Sequence, residues 1–177
     1  LTYDDLSDVD IAVEAVYENL DLKQEIFKCL DEVTKDHAIL ASNTSGLDID
    51  AIASCTNRPE NVVGTHFFSP ANIMKLLEVV RGDQTSNEAL ATVMSVSKKL
   101  KKAAVVSLNA PGFIGNRLVN AGGPLTYHKA VEMGLTIEDV DALSGTLVGN
   151  AKSAYFRTQD VVGLDTALNV QNNMFDR

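Results

Sequence analysis

Two residues able to move a proton, His66 and Glu78, interrupt a pair of otherwise apolar runs. The stretch VVGTHFFSPANIMKLLEVVRG, Val62–Gly82, reads as two strands, Val62–Phe68 and Ile73–Val80, joined by a Ser-Pro-Ala-Asn turn. Nearly continuous hydrophobicity suits strands buried on both faces of a sheet. An imidazole and a carboxylate set into adjacent buried strands form a proton-transfer pair, because the carboxylate fixes the tautomer and stabilises the imidazolium. Spacing alone favours a structural histidine at a strand end and a glutamate on a solvent-facing edge, since a His–Glu pair by itself is a weak signal.

The elements that must carry this pair can be taken in chain order. Asp10–Val16 is a short apolar run between acidic residues and reads as a strand. Asn19 or Asp21 caps a helix whose Leu22, Ile26, Cys29, Leu30 and Val33 recur at helical spacing. His37–Ser42 is a second strand ending in Asn43-Thr44-Ser45-Gly46, and Asp48–Ser54 a brief helix. Thr85-Ser86-Asn87-Glu88 has the form of a capping box, opening a helix with Leu90, Val93, Met94 and Leu100 inward. Lys98, Lys99, Lys101 and Lys102 sit at its C-terminal end, where cations complement the helix dipole. Ala103–Leu108 closes the alternation as another strand. Strands alternating with helices predict a layered α/β domain with a largely parallel sheet. After Asn109 the character turns helical, with Pro111 starting a helix that Gly122-Gly123-Pro124 interrupts or restarts. Thr136 caps another, with Val140 and Leu143 inward. The expected domains are therefore 1–109 and 110–177.

Composition excludes several function classes. The 177 residues carry a net charge of -9, with 45% hydrophobic and 22% charged residues, which is ordinary for a globular protein. That charge argues against nucleic acid as a partner. Eleven acidic residues against three lysines within Leu1–Asp36 read as solvated faces. No apolar run is long enough for a membrane span, and no basic-then-apolar leader opens the chain. Cys29 and Cys55 share no short spacing with each other or with His37, His66 or His128, so no metal site is expected, and a reducing, cytoplasmic setting follows. Asn43-Thr44-Ser45 matches a glycosylation sequon without any sign of secretion. Gly145–Ser153 resembles a phosphate loop but lacks the adjacent Gly and Lys.

Four separated motifs together resemble the 3-hydroxyacyl-CoA dehydrogenases. They are Glu14-Ala-Val-Tyr-Glu-Asn-Leu20, Ala41-Ser-Asn-Thr-Ser45, Gly64-Thr-His-Phe-Phe-Ser-Pro70 running into Met74-Lys-Leu-Leu-Glu78, and Ala110-Pro-Gly-Phe-Ile-Gly-Asn-Arg117. Lys152–Thr158 and Asp160–Asp165 are similar to the branch fused to an enoyl-CoA hydratase. The resemblance implies an NAD-dependent oxidation of L-3-hydroxyacyl-CoA to 3-oxoacyl-CoA in fatty-acid β-oxidation. It implies His66 as general base and Glu78 as its orienting carboxylate. Ser45 matches a serine that hydrogen-bonds the reacting oxygen, and Asn116 an asparagine that helps place substrate. Glu18, Lys23, Asn43 and Ser69 match positions beside the cofactor. An acyl-CoA substrate, a homodimer through the helical domain and a fused hydratase domain are the partners it implies. Alternatives within the same fold are a crystallin-like structural protein and a biosynthetic 3-hydroxybutyryl-CoA dehydrogenase.

The chain also departs from the family pattern. The Gly-x-Gly-x-x-Gly turn that holds the pyrophosphate is absent, as is the acidic residue for the adenine ribose. Ser69 stands where the family usually has Asn, and Gly46 where it has a second Ser. The expectation is thus a partial Rossmann-like nucleotide-binding domain lacking its first βαβ units, followed by an incomplete all-α domain. Such a piece of a longer protein is expected to be inactive alone.

Overall fold

The computed structural model describes residues 2–164 together with Leu168 and Asn172. Five strands form one sheet in the order β1 (Ile11–Glu14), β2 (Ile39–Ser42), β3 (Val62–Phe67), β4 (Leu76–Arg81) and β5 (Ala103–Leu108). All neighbouring pairs are parallel except β3 with β4, which is antiparallel. That reversal follows from the short connection after Phe67, since a parallel return needs a long crossover. The second strand of the pair is shorter than its apolar run predicts. Ile73 is 69% exposed and precedes β4, so an apolar side chain there lengthened the expected strand without belonging to it.

Strand residues alternate between two cores, as a pleated sheet requires. Leu40, Val62 and Val80 join Phe27, Leu30, Ile49 and Ile52 from α1 (Leu20–Val33) and α2 (Ile49–Ala53). Ile39, Ala41, Val63, Leu77 and Val79 join Ala89, Leu90 and Val93 from α3 (Asn87–Lys99). The sheet is thus covered by α1 and α2 on one face and by α3 on the other. By parity, His66 and Glu78 belong to the α1–α2 face.

Asn19 caps α1, its side chain accepting from the Leu22 amide at 2.9 Å. The inner stripe of α1 corrects the sequence expectation. Lys23, Phe27, Leu30 and Thr34 are buried, whereas Leu22 is exposed and Cys29 only half-buried. A hydrophobic pattern assigns a lysine to solvent, whereas Lys23 lies inward on the same face as Phe27 and Leu30. The C-terminal end of α1 is held by Arg58, which donates to the Asp31 carbonyl at 3.0 Å and to Thr34 Oγ1 at 2.7 Å. The cap of α3 is Ser86, accepting from Ala89 N at 3.0 Å, one residue later than the box starting at Thr85 suggests. Thr85 instead donates to the Val62 carbonyl at 2.7 Å and ties the entry of α3 to β3. Leu100, expected inward, is 53% exposed at the helix end.

By its internal contacts the chain divides into two compact units, Leu1–Ile114 and Gly115–Arg177. In the second unit, α4 (Gly115–Met133) runs continuously through Gly122-Gly123-Pro124 instead of breaking there. α5 (Ile137–Ser144) starts in a reciprocal capping box between Thr136 and Asp139, and α6 spans Phe156–Val162. The amide and hydroxyl of Thr136 hold the Asp139 carboxyl below the usual carboxylate range. Val140 is buried as expected, while Leu143 is 58% exposed. No strand follows Leu108 among the described residues. Asp165, the end of the last motif, lies outside them.

Candidate active site

β1, β2 and β3 run the same way, so their C-terminal ends share one edge of the sheet, where open α/β sheets bind ligands. Glu14 ends β1 and Ser42 ends β2, and the two are register partners. Ser42 Oγ donates to Glu14 Oε2 at 2.8 Å, and Lys23 Nζ donates to Glu14 Oε1 at 2.7 Å. The Glu14 side chain is 1% exposed and that of Lys23 is 0% exposed. A buried ammonium survives only beside a carboxylate. Lys23 also lies 3.6 Å from Glu18 Oε2. Glu18 Oε1 accepts from Thr44 Oγ1 at 2.6 Å and from the Ser45 amide at 2.8 Å. A continuous polar line therefore links Ser42, Glu14, Lys23, Glu18 and the backbone of Ser45.

Asn43 follows β2 and reaches across to β3, its Oδ1 accepting from the Phe67 amide at 3.0 Å. The turn Thr44–Leu47 is closed by Thr44 Oγ1, which accepts from the Leu47 amide at 2.8 Å. Ser69 is exposed, two residues beyond the end of β3. Asn116 lies in the first turn of α4, half-buried, in the second unit.

His66 and Glu78 face each other directly across the antiparallel pair. His66 Nδ1 and Glu78 Oε2 are 2.6 Å apart, with Glu78 wholly buried and His66 at 5% exposure. Nδ1–H donates to this carboxylate, which leaves Nε2 as the basic nitrogen. The other carboxylate oxygen, Oε1, accepts from the Ile114 amide at 2.9 Å. Phe68 and Phe113 flank the imidazole with ring centroids at 4.5 and 5.8 Å. Phe113 is 2% exposed with φ at +49°, an uncommon conformation for a bulky residue, set where the first unit ends. Of the alternatives that spacing left open, the buried carboxylate removes the solvent-facing edge.

The sequence reading assigned no role to Glu14, Ser42, Thr44, Phe113 or the Ile114 amide. Glu14 had a visible signal, a carboxylate inside the apolar run Ile11–Val16. The Ile114 amide had none, because a backbone donor has no residue type. Outside the site, Cys55 is pushed up in pKa by burial, and its Sγ lies 3.0 Å from the Ile52 carbonyl. Neither cysteine is in a disulfide. Among the described residues no cluster of His, Cys, Asp and Glu is arranged to hold a metal, and no helix is long and apolar enough to cross a membrane.

Glu18, 26% exposed, and Asn43 are the polar side chains this edge turns outward, with the wholly buried Lys23 behind Glu18. Residues 1–110 match the family "3-hydroxyacyl-CoA dehydrogenase, NAD binding domain", and residues 112–177 match its "C-terminal domain". A peroxisomal bifunctional enzyme of Danio rerio is 44% identical over 178 residues, 97% of this chain. The fatty acid oxidation complex subunit alpha of Pseudomonas putida is 41% identical over 168 residues, 94% of this chain. This chain spans 23% of each of those two proteins. The crystal structure of (S)-3-hydroxybutyryl-CoA dehydrogenase from Ralstonia eutropha superposes with a TM-score of 0.89 at 35% identity, covering 99% of this chain and 62% of that one. With its NAD-binding and helical parts both matched in order, the chain belongs to the 3-hydroxyacyl-CoA dehydrogenase family.

Proposed function

We propose that the protein carrying this sequence oxidises L-3-hydroxyacyl-CoA to 3-oxoacyl-CoA in fatty-acid β-oxidation. The observation that carries the reading is the buried His66–Glu78 pair, closed at 2.6 Å across β3 and β4. NAD supplies the hydride acceptor for C3. His66 Nε2 takes the proton of the 3-hydroxyl, and Glu78 holds the ring in the tautomer that leaves Nε2 basic. The aromatic walls of Phe68 and Phe113 keep water from the imidazole. Ser45 hydrogen-bonds the reacting oxygen, and Asn116 helps place the substrate. Glu18, Asn43 and Ser69 would meet the nicotinamide and its ribose, with the buried Lys23 holding Glu18 from behind. The domain assignment, a nucleotide-binding part over 1–109 and a helical part over 110–177, belongs to the same reading.

The relatives support a fused hydratase domain in the same protein, since several are named as bifunctional or multifunctional enzymes. A homodimer through the helical unit is supported by exposed apolar residues on α4, among them Leu118, Val119 and Leu125. Two free cysteines support a reducing, cytoplasmic setting. A 3-hydroxybutyryl-CoA dehydrogenase is the second reading, favoured by the likeness to the Ralstonia eutropha enzyme. Turnover of short- against long-chain 3-hydroxyacyl-CoA separates the two. In the full-length protein, His66→Ala is expected to lower kcat about a thousandfold in an NADH-coupled assay. Turnover within about threefold of the parent removes His66 from the mechanism.

A further inference from the structure

We propose that Glu14 is a positioning residue that sets the cofactor side of the site through Lys23. The inference rests on the reading above that Glu18, with Lys23 behind it, holds the cofactor. Its physical basis is the arrangement of charge. Glu14 receives three donors: Lys23 Nζ at 2.7 Å, Ser42 Oγ at 2.8 Å and the Val16 amide at 2.6 Å. These come from α1, from the end of β2 and from the turn after β1, so one carboxylate joins three segments at the edge where the strands end. Lys23 also donates to the Val16 carbonyl at 3.3 Å. A buried ion pair of this kind can often be replaced by apolar groups without loss of stability, so its presence points to geometry. The network opens to solvent only at its far end, where the Glu18 side chain is 26% exposed. There Glu18 holds the Thr44 hydroxyl and the Ser45 amide. Glu14 thereby determines where the Lys23 charge sits, and Lys23 where Glu18 and the Ser45 backbone sit.

Replacing Glu14 by glutamine leaves Glu18 as the remaining carboxylate near a buried ammonium. Lys23 then either turns to Glu18, drawing it off Thr44 and Ser45, or sheds its proton. Both outcomes disorder the ribose contacts while leaving His66 and Glu78 in place.

The test is NADH binding by fluorescence titration, together with steady-state kinetics, on the full-length protein carrying Glu14→Gln. The NADH dissociation constant and the KM for NAD are expected to rise about tenfold, a larger change than in kcat at saturating NAD, where the loosened Ser45 shows, or in the KM for acyl-CoA. A folded variant that binds NADH like the parent overturns the proposal. So does a fall in kcat alone, because a residue that sets the cofactor side must change NADH binding as well. Lys23→Met and Glu18→Gln run alongside. If they also leave NADH binding unchanged, the cofactor is misplaced and the inference falls with that reading. If they weaken binding and Glu14→Gln does not, the inference alone is wrong. Should Glu14→Gln fail to fold, Ser42→Ala removes one bond without stranding a charge. It is expected to weaken NADH binding about threefold, and an unchanged constant overturns the proposal.

Discussion

At the scale of single residues, Glu78 divides its two oxygens between two tasks. Oε2 faces the imidazole at 2.6 Å, and Oε1 accepts the Ile114 amide at 2.9 Å. This division makes Glu78→Gln an informative change. The Ile114 amide requires an acceptor, so the glutamine oxygen takes that position and the amide nitrogen is turned to His66 Nδ1. A donor there forces Nδ1 to accept and moves the ring proton to Nε2, the nitrogen that must be basic. The expected result is a fall in kcat on the order of a hundredfold, with both KM values within about twofold. Steady-state kinetics of the full-length variant checks it. A larger effect on KM than on kcat would place Glu78 in binding and not in orienting the base.

At the scale of elements, the β3–β4 pair depends on a close approach at Gly64. Its register partner is Val80, and a Cβ at position 64 would lie 2.7 Å from Val80 Cβ and 2.9 Å from Ile49 Cδ1. Val80 Cβ is fixed to its own backbone and the fully buried Ile49 has little room to turn away, so the strand itself must move. Gly64→Ala is expected to cost about 2 kcal/mol of stability, measured by urea unfolding. Because His66 follows two residues later on the same face, kcat should fall with it. A variant of parental stability and activity would show that the sheet gives way at no cost. The residue was legible in the sequence only as part of the Gly64–Pro70 motif, because the clash depends on Ile49 and Val80, which lie far away along the chain.

At the scale of the whole molecule, the two units differ in how much apolar surface they bury. Of the buried hydrophobic residues, Ala130 and Val140 alone lie beyond Ile114, among the described residues. Leu118, Val119, Leu125, Tyr127, Val131 and Met133 on α4 are all more than half exposed. Helices without a packed face are marginal in water. Hydrogen exchange of this chain is therefore expected to be fast throughout α4–α6 and slow in β2, β3 and β4. Equal protection in both units would mean that another surface covers those helices. The same imbalance supports the assignment of further protein contacts to the helical unit.

Much about this protein was determined by its sequence alone. Period-two and helical patterns mark where side chains are buried, so the five strands, α1, α2, α3 and α5, and the caps at Asn19 and Thr136 lie close to where local chemistry puts them. The His66–Glu78 pair was legible because polar residues inside apolar runs are costly and therefore stand out. Tertiary structure decided the rest. The inward turn of Lys23 depends on Glu14, the Glu18 link on Ser45, and the second acceptor role of Glu78 on a backbone amide at Ile114. Hydrophobic pattern records whether a side chain is buried. It does not record which charge lies opposite when strands distant in sequence come together, and that pairing is a property of the closed fold.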